Sequence, residues 1–378
     1  MSRHSAKSQY DMAQYVSKDE AVMQKRYVVL IIILLMVIVG FSQRDKLVTR
    51  LLQVGIDRQF STTTLSSLGD GLHVGLCGAG SPLPAPKASG PCVAVAAGGA
   101  LYVVDVGTDS PRNLARMGWA AAALEGVFIT HFHSDHIDGL GELMTLRWAG
   151  GSFESPLPVY GPSGIERVVN GFNEAYAQDF IYRQAHHGDA VTPLKSAGGA
   201  AKPFPKPAPG QTATLVDRDG LKIEAFSVTH SPVEPAVGYR FTYKGRTVVI
   251  SGDTIKDQNI VDMSRGADLL VHEALAANLV ALINEGARNN GRANLVRITH
   301  DIPDYHATPM DAAETAAEAG VGHLLYYHIV PALIVPGQER LFLNGADDVF
   351  EDFTIGYDGV AFSLPANSDD IIQISDGL

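Results

Sequence analysis

Four residues within six positions carry the strongest chemical signal in this chain. They are His131, His133, Asp135 and His136, in the pattern His-x-His-x-Asp-His. Imidazoles at i and i+2 of an extended segment leave it on the same side. A carboxylate and a third imidazole beyond the strand end, where the backbone turns, can face a second ion. Neutral imidazole and carboxylate donors suit zinc, with manganese or iron as alternatives. The bland reading is a group of ordinary polar residues in a loop. The spacing favours metal ligation over it.

Three more candidates share one property. His230 follows Phe226-Ser227-Val228-Thr229, Asp253 follows Val248-Val249-Ile250-Ser251-Gly252, and His328 follows Leu324-Leu325-Tyr326-Tyr327. Each lies at the C-terminal end of an apolar strand, the edge where a layered α/β fold exposes functional groups. Asp253 is the kind of carboxylate that two cations ~3.5–4 Å apart need between them. Taken singly, each could be an ordinary strand-end polar group. As an ordered set with the first cluster they make five histidines and two aspartates for two divalent metal ions.

The elements that must position these groups are legible as short apolar runs alternating with helix-like stretches. Leu72–Cys77, Val93–Ala97, Leu101–Val106, Val127–Thr130, Leu221–Thr229, Val237–Tyr243, Thr247–Ser251, Leu269–His272 and His323–Tyr327 read as strands. Pro111–Met117, Ile137–Trp148, Gly164–Ala185, Ala274–Asn289 and Pro309–Ala319 read as helices. Thr308-Pro309-Met310-Asp311 reads as an N-cap, a proline at N1 and an acidic partner at N3. His306 therefore sits just before a helix N-terminus, which suits an anionic substrate.

Ahead of this part the sequence divides into a disordered tail (1–26), an apolar span (27–42) and a juxtamembrane linker (43–70). The uncharged run Tyr27–Phe41 is flanked by Lys25 and Arg26 before and Arg44 and Lys46 after. It is shorter than the ~20 residues a full span takes, but snorkelling flanks and bilayer thinning can close the gap. A single-pass N-terminal anchor in a lipid bilayer is favoured over a cleaved signal peptide. The charges on the two flanks balance, so the side of the membrane stays undecided. A net charge of −12 speaks against broad binding to nucleic acid. The two cysteines, Cys77 and Cys92, cannot build a thiolate site. They are either one disulfide in an oxidising compartment or two small buried residues.

In order and kind, His131-x-His133-x-Asp135-His136, His230, Ser251-Gly252-Asp253-Thr254 and His328 resemble the metallo-beta-lactamase superfamily. Three features are similar to its ribonuclease Z and arylsulfatase branch: Leu76-Cys77-Gly78-Ala79-Gly80-Ser81-Pro82, Val237-Gly238-Tyr239-Arg240, and Tyr305-His306-Ala307-Thr308. The similarity covers about residues 72–330. It implies a four-layer αββα sandwich, within a domain that spans 71–378. It implies that His131, His133 and His230 hold one metal, that Asp135, His136 and His328 hold the other, and that Asp253 bridges. A hydroxide held by the two ions would attack phosphorus or sulfur. Asp135 would orient it or accept its proton, and His306 would bind the oxyanion or protonate the leaving oxygen. Asp105, after Leu101-Tyr102-Val103-Val104, would orient a ligand imidazole from behind. His272 is placed to pack beneath the site or contact substrate, and His300 is a further candidate for lining it.

The substrate implied is an anionic ester. The ribonuclease Z reading takes RNA, at the 3′ end of transfer RNA. Between about 186 and 210 only Lys195, Lys202 and Lys206 stand among Ala, Gly and Pro, which is thin for an RNA clamp. An arylsulfatase-like or small phosphate- or sulfate-ester hydrolase outside the cytoplasm is the alternative. A membrane-anchored metal-binding scaffold without turnover is a third reading, opposed by His306, which ligation does not need. Whether the chain is a homodimer is left open.

Overall fold

The computed structural model describes residues 4–61, 64–83, 85, 88–151 and 153–378. It divides into two units, 1–62 and 63–378.

The first unit is one helix, His4–Ser61. Residues 4–26 were expected to be disordered and 43–61 only partly helical; both lie within this helix. Residues 1–3 of the expected tail and 62–63 of the expected linker lie outside the described residues. The physical reason for the continuity is composition. No proline falls between 4 and 61, and Ala, Gln, Lys, Met and Leu recur along it. Met23–Asp57 is long and apolar enough to cross a membrane, by length and composition, with a mean hydropathy of 2.2 over its most apolar stretch.

The second unit holds two sheets. The first has strands β1 (Gly71–Gly78), β2 (Cys92–Ala97), β3 (Ala100–Val104), β4 (Leu124–Phe128), β5 (Leu157–Pro162) and β6 (Gly199–Phe204). The second has β7 (Thr212–Arg218), β8 (Leu221–Ser227), β9 (Val237–Tyr243), β10 (Arg246–Ile250), β11 (Leu269–Leu275), β12 (His323–Val330) and β13 (Phe353–Ile355). The chain then returns to the first sheet with β14 (Val360–Pro365) and β15 (Ile372–Asp376). The strand orders are β15-β14-β1-β2-β3-β4-β5-β6 and β13-β12-β11-β10-β9-β8-β7.

Alternation within strands builds the layers. One face of each sheet meets the other in a shared core that includes Leu72, Val95, Tyr102 and Phe128 from the first and Ile223, Phe241, Val248 and Val271 from the second. The outer face of the first sheet packs on Leu114, Leu140, Leu143, Ile165 and Val169 of three helices. The outer face of the second packs on Ile260, Val261, Ala312, Ala313 and Ala316. Helices thus cover both outer faces, giving the expected four layers. Strands β10, β11 and β12 run parallel and are buried almost throughout, so they read as unbroken apolar runs.

The sequence reading ran β11 only to His272 and β12 only to Tyr327; they continue to Leu275 and Val330. It also lacked β5, β6, β7 and the last three strands. Residues beyond 330 belong to the sheets, because β14 pairs with β1 inside the first sheet. Asp358, between β13 and β14, accepts from the backbone N–H of Ala79 and Ser89 at 2.9 and 2.8 Å. It thereby ties the glycine-rich loop after β1 to the C-terminal segment. Cys77 and Cys92 form a disulfide at the base of that loop, with Cα atoms 5.0 Å apart and both residues fully buried.

Candidate metal centre and active site

Strand ends from both sheets deliver the seven expected ligands to one place. From the first sheet, β4 ends at Phe128 and the chain runs through Ile129 and Thr130 into His131. His133 caps a short 3-10 turn, Ser134–His136, that carries Asp135 and His136. From the second sheet come His230 beyond β8, Asp253 beyond β10 and His328 near the end of β12. Gly252 has φ +63°, and a Cβ there would stand 2.9 Å from the carbonyl oxygen of Val237. Glycine is what lets the chain turn Asp253 inward.

Four imidazoles converge on one carboxylate oxygen. The Nε2 atoms of His136, His328, His131 and His230 lie 3.3, 3.5, 3.7 and 3.7 Å from Oδ2 of Asp253. Asp135 Oδ2 stands 3.4 Å from His328 Nε2 and 3.6 Å from His136 Nε2. His133 Nδ1 and His131 Nε2 are 2.9 Å apart. The spacings to Asp253 and Asp135 are longer than good hydrogen bonds and close to those of donors around a cation, since ligands ~2.1 Å from a tetrahedral ion sit roughly 3–3.5 Å from one another, while His131 and His133 are at hydrogen-bond distance. Nε2 of His136, His230 and His328 and Oδ1 of Asp253 are buried with no hydrogen-bond partner. Buried polar atoms are seldom left so. The donors group as His131, His133, His230 and Asp253, as Asp135, His136 and His328, and as Asp253, His306 and His328, so the residues present fit two ions.

The electrostatics agree. Burial disfavours charge on His136 and His328, but the carboxylates of Asp253 and their neighbours override it. They hold His136 well above the ordinary histidine range and push His328 up to about 9. Asp253 is itself held well below the usual carboxylate range, because the surrounding imidazoles outweigh its burial. Burial instead pulls His131 well below the ordinary range and lowers His133 and His230, so the positive charge gathers on the His136 and His328 side.

Groups behind the ligands fix which nitrogen faces inward. Asp105 is fully buried and accepts from the Thr130 N–H, the Thr130 hydroxyl and His136 Nδ1, each at 2.8 Å. Because the Thr130 hydroxyl donates to Asp105, it is free to accept from His131 Nδ1 at 3.1 Å. The Tyr305 carbonyl accepts from His230 Nδ1 at 2.8 Å. In all three imidazoles Nδ1 is occupied and Nε2 points to the cradle. Asp105 itself adopts φ +56°, a left-handed conformation that Asp tolerates better than most residues.

His328 has the least expected backbone. By strand alternation Leu325 and Tyr327 face the other sheet, while Leu324 and Tyr326 face the helices. His328 would follow Tyr326 toward the helices. Instead the register breaks: Glu273 pairs with Tyr327 and Ala274 with Ile329, leaving His328 as the extra residue of a bulge at φ +44°. The bulge turns the imidazole into the cradle.

His306 stands beside the ligands, its ring centre 5.1 Å from that of His230 and 5.6 Å from that of His328. It precedes the helix Pro309–Ala319, whose capping box closes as expected, Thr308 accepting from the Asp311 N–H and Asp311 from the Thr308 N–H. Its orienting partner is Glu273, fully buried on β11. One Glu273 oxygen accepts from His306 Nδ1 at 2.9 Å, from the Thr254 N–H at 3.0 Å and from the Ala307 N–H at 3.3 Å. Burial opposes charge on His306, but the Glu273 carboxylate more than offsets it and raises the imidazole above its ordinary value.

Two expected lining residues are elsewhere. His272 shares strand parity with Leu270 and Ala274, so it points to the helices on the outer face; its Nδ1 donates to the Glu273 carbonyl at 2.8 Å. His300 is exposed on the helix Ala293–Asp301 and does not line the cavity; Ile298 of the same helix does. Glu273 was overlooked as the partner of His306. Period-two alternation was the available signal, since Leu269, Val271 and Glu273 share a face, but it does not say which face is inward.

The model of the metallo-beta-lactamase superfamily matches residues 86–308. The chain belongs to the metallo-beta-lactamase superfamily. It is 36% identical over 271 residues to ribonuclease Z of Mycobacterium avium, covering 71% of this chain and 89% of that one. Two solved structures share the fold. The metallo-beta-lactamase fold protein YhfI of Bacillus subtilis has a TM-score of 0.54 at 21% identity, over 78% of this chain and 99% of that one. The short form of human tRNase Z has a TM-score of 0.53 at 21% identity, with the same coverage. Within its superfamily the chain is a ribonuclease Z-like, metal-dependent hydrolase.

Proposed function

We propose that the chain hydrolyses phosphodiesters with two divalent ions, zinc in the first place and manganese or iron as alternatives. His131, His133 and His230 would hold one ion and Asp135, His136 and His328 the other, with Asp253 within reach of both sets. The observation that carries this reading is the convergence of four imidazole Nε2 atoms on Asp253, with several of these atoms buried and unpartnered. When bound, the ions supply Lewis acidity toward phosphoryl oxygens and acidify water.

The chain's own residues do the rest. Asp135 borders the cavity and accepts the proton of the attacking water. His306, its Nδ1–H committed to Glu273, presents Nε2 to the leaving oxygen or to the oxyanion. The following helix N-terminus favours negative charge there. Glu273 acts through His306 as a positioning residue.

The similarity to ribonuclease Z supports RNA as the substrate. The interval 186–210 adds little grip, because Lys195 pairs with Glu154 and Lys206 with Glu234. A second line concerns place. The chain is anchored in a lipid bilayer through residues 27–42, whose described side chains are exposed along the helix. The Cys77–Cys92 disulfide supports an oxidising compartment for the second unit.

The test is hydrolysis of bis-(p-nitrophenyl) phosphate by metal-loaded protein. Turnover is expected, and it should vanish in Asp135→Ala. Turnover of p-nitrophenyl sulfate but not of the phosphodiester would overturn the assignment. Precursor transfer RNA in the same assay decides between RNA and a smaller ester. A reporter fused after Leu378, active only when exported, reads the side of the membrane.

A further inference from the structure

The chain between Glu273 and His306 does more than join them. After β11 it leaves the edge of the second sheet as the helix Ala277–Asn289, turns at Gly291 with φ +65°, and returns as the helix Ala293–Asp301. The 13 residues of the outgoing helix, at 1.5 Å each, make an arm about 20 Å long. Asn284 ties the two helices together, its side-chain amide donating to the Val296 carbonyl at 2.8 Å and to the Thr299 hydroxyl at 2.7 Å. The base of the arm stands at the reacting groups. Ile298 and Ile302 line a cavity of about 300 Å³ that opens onto His133, Asp135, His306 and His328. The tip, 288–294, is exposed at every residue.

The arm runs against the charge of the chain as a whole. From Gly286 to His300 it holds Arg288, Arg292 and Arg297 and no Asp or Glu, although the net charge is −12. Arg297 pairs with Asp301 at 2.8 Å. Arg288 donates to the amide oxygen of Asn284 at 2.8 Å, and among the described residues no carboxylate forms an ion pair with Arg288 or Arg292. Lys195 and Lys206 differ, being held by Glu154 and Glu234. An exposed guanidinium without a carboxylate keeps its donors for an arriving phosphate, which it can grip through two of them. Arg292 lies six residues before Ile298, about 9 Å along the helix axis. An RNA with its scissile phosphate at the floor of the cavity extends over this rim, and its neighbouring phosphates come within reach of the arm. A small diester ends short of it. We propose that the arm 277–301 is the RNA-gripping surface of this chain, with Arg288 and Arg292 holding phosphates a few nucleotides from the scissile one. The inference rests on the RNA reading of the site and says where, outside the metal centre, that substrate is held.

The test compares the metal-loaded full chain in detergent with Arg288→Ala plus Arg292→Ala, on precursor transfer RNA and on bis-(p-nitrophenyl) phosphate. KM for the RNA should rise about five- to tenfold, with kcat held within about twofold. The fall of log(kcat/KM) with log salt should flatten by about 1.5, as two phosphate contacts are lost. Turnover of the small diester should stay within about twofold, which also reports that the variant is folded and loaded. Arg288→Lys plus Arg292→Lys should restore the salt slope and only part of KM, since lysine returns the charge without the fork. RNA cleaved with unchanged KM and salt slope in the alanine variant overturns the arm and leaves the RNA reading standing. A fall shared equally by both substrates in the lysine variant overturns it as well. Turnover of the small diester with no cleavage of RNA by the unaltered chain sinks the RNA reading, and the arm with it.

Discussion

The two sheets contribute to the metal centre in opposite ways. The first supplies His131, His133, Asp135 and His136 from one loop beyond β4. The second supplies His230, Asp253, Glu273 and His328 from four strands spread over about a hundred residues of chain. The contiguous half needs only a turn to arrange its donors. The dispersed half needs strand order, register and a bulge, because each residue reaches the cradle by a different route. Yet the oxygen on which the imidazoles converge, Asp253 Oδ2, belongs to the dispersed half. Contiguity makes a site easy to recognise and says little about where its centre lies.

The largest effect should come from that centre. Asp253→Ala is expected to lose bound metal and more than a hundredfold of phosphodiesterase activity, at least as much as His136→Ala in the contiguous half. Metal analysis beside turnover of bis-(p-nitrophenyl) phosphate reads both. A His136→Ala loss far exceeding that of Asp253→Ala would place the centre in the contiguous half after all.

Glu273→Gln comes next. It should lower kcat by roughly 10–100-fold with metal content retained, because it weakens the acceptor of His306 and leaves every expected ligand in the chain. Loss of metal in this variant would show that Glu273 supports the cradle itself. Asp105→Asn should act the other way, weakening metal affinity by about 10–100-fold, with kcat recovering at high metal concentration. The contrast separates a residue behind the ligands from one behind the catalytic imidazole.

The neighbouring His272 sharpens the point at smaller amplitude. His272→Gln should lower Tm, because a buried hydrogen bond to the Glu273 carbonyl changes. Activity per folded molecule should change by less than about threefold. A large drop in kcat would contradict its placement on the outer face.

The smallest effect concerns a histidine in neither half. His73 on β1 is buried, its ring nitrogen 2.9 Å from the Gly69 carbonyl, and burial pulls its pKa below the ordinary value. The unfolded chain therefore binds the proton more readily. The stability this contributes is complete above about pH 6.5 and is lost as pH falls below that toward the folded value. Denaturant midpoints measured between pH 7 and 5 should fall less steeply in His73→Gln than in the unaltered chain.

Much of this was readable from residue order alone. All seven expected ligands meet in space, and so does Asp105 behind them. All but His328, which lies within β12, follow an apolar strand at its C-terminal end, and strand ends are marked by local composition. The capping box before the helix Pro309–Ala319, and with it the position of His306, is a four-residue pattern and needed nothing distant. The continuous helix His4–Ser61 was harder, since propensity acts weakly at each residue and polar stretches read equally well as coil.

What lay beyond the sequence at the site has one physical cause: it depends on which face of a strand is inward. His272 and Glu273 are adjacent in β11, and period two assigns them to opposite faces without naming either. Only packing against the first sheet decides that Glu273 meets His306 while His272 meets the helices. His328 goes further, because its bulge reverses the parity that its own strand would impose. The sequence by itself determined that five imidazoles and two carboxylates, donors that suit divalent cations, stand at or near strand ends. The tertiary structure decided which imidazole nitrogens turn inward, what steers His306, and which residues line the cavity above the charge. Those are relations between residues far apart in the chain, and only the packing of the two sheets sets them.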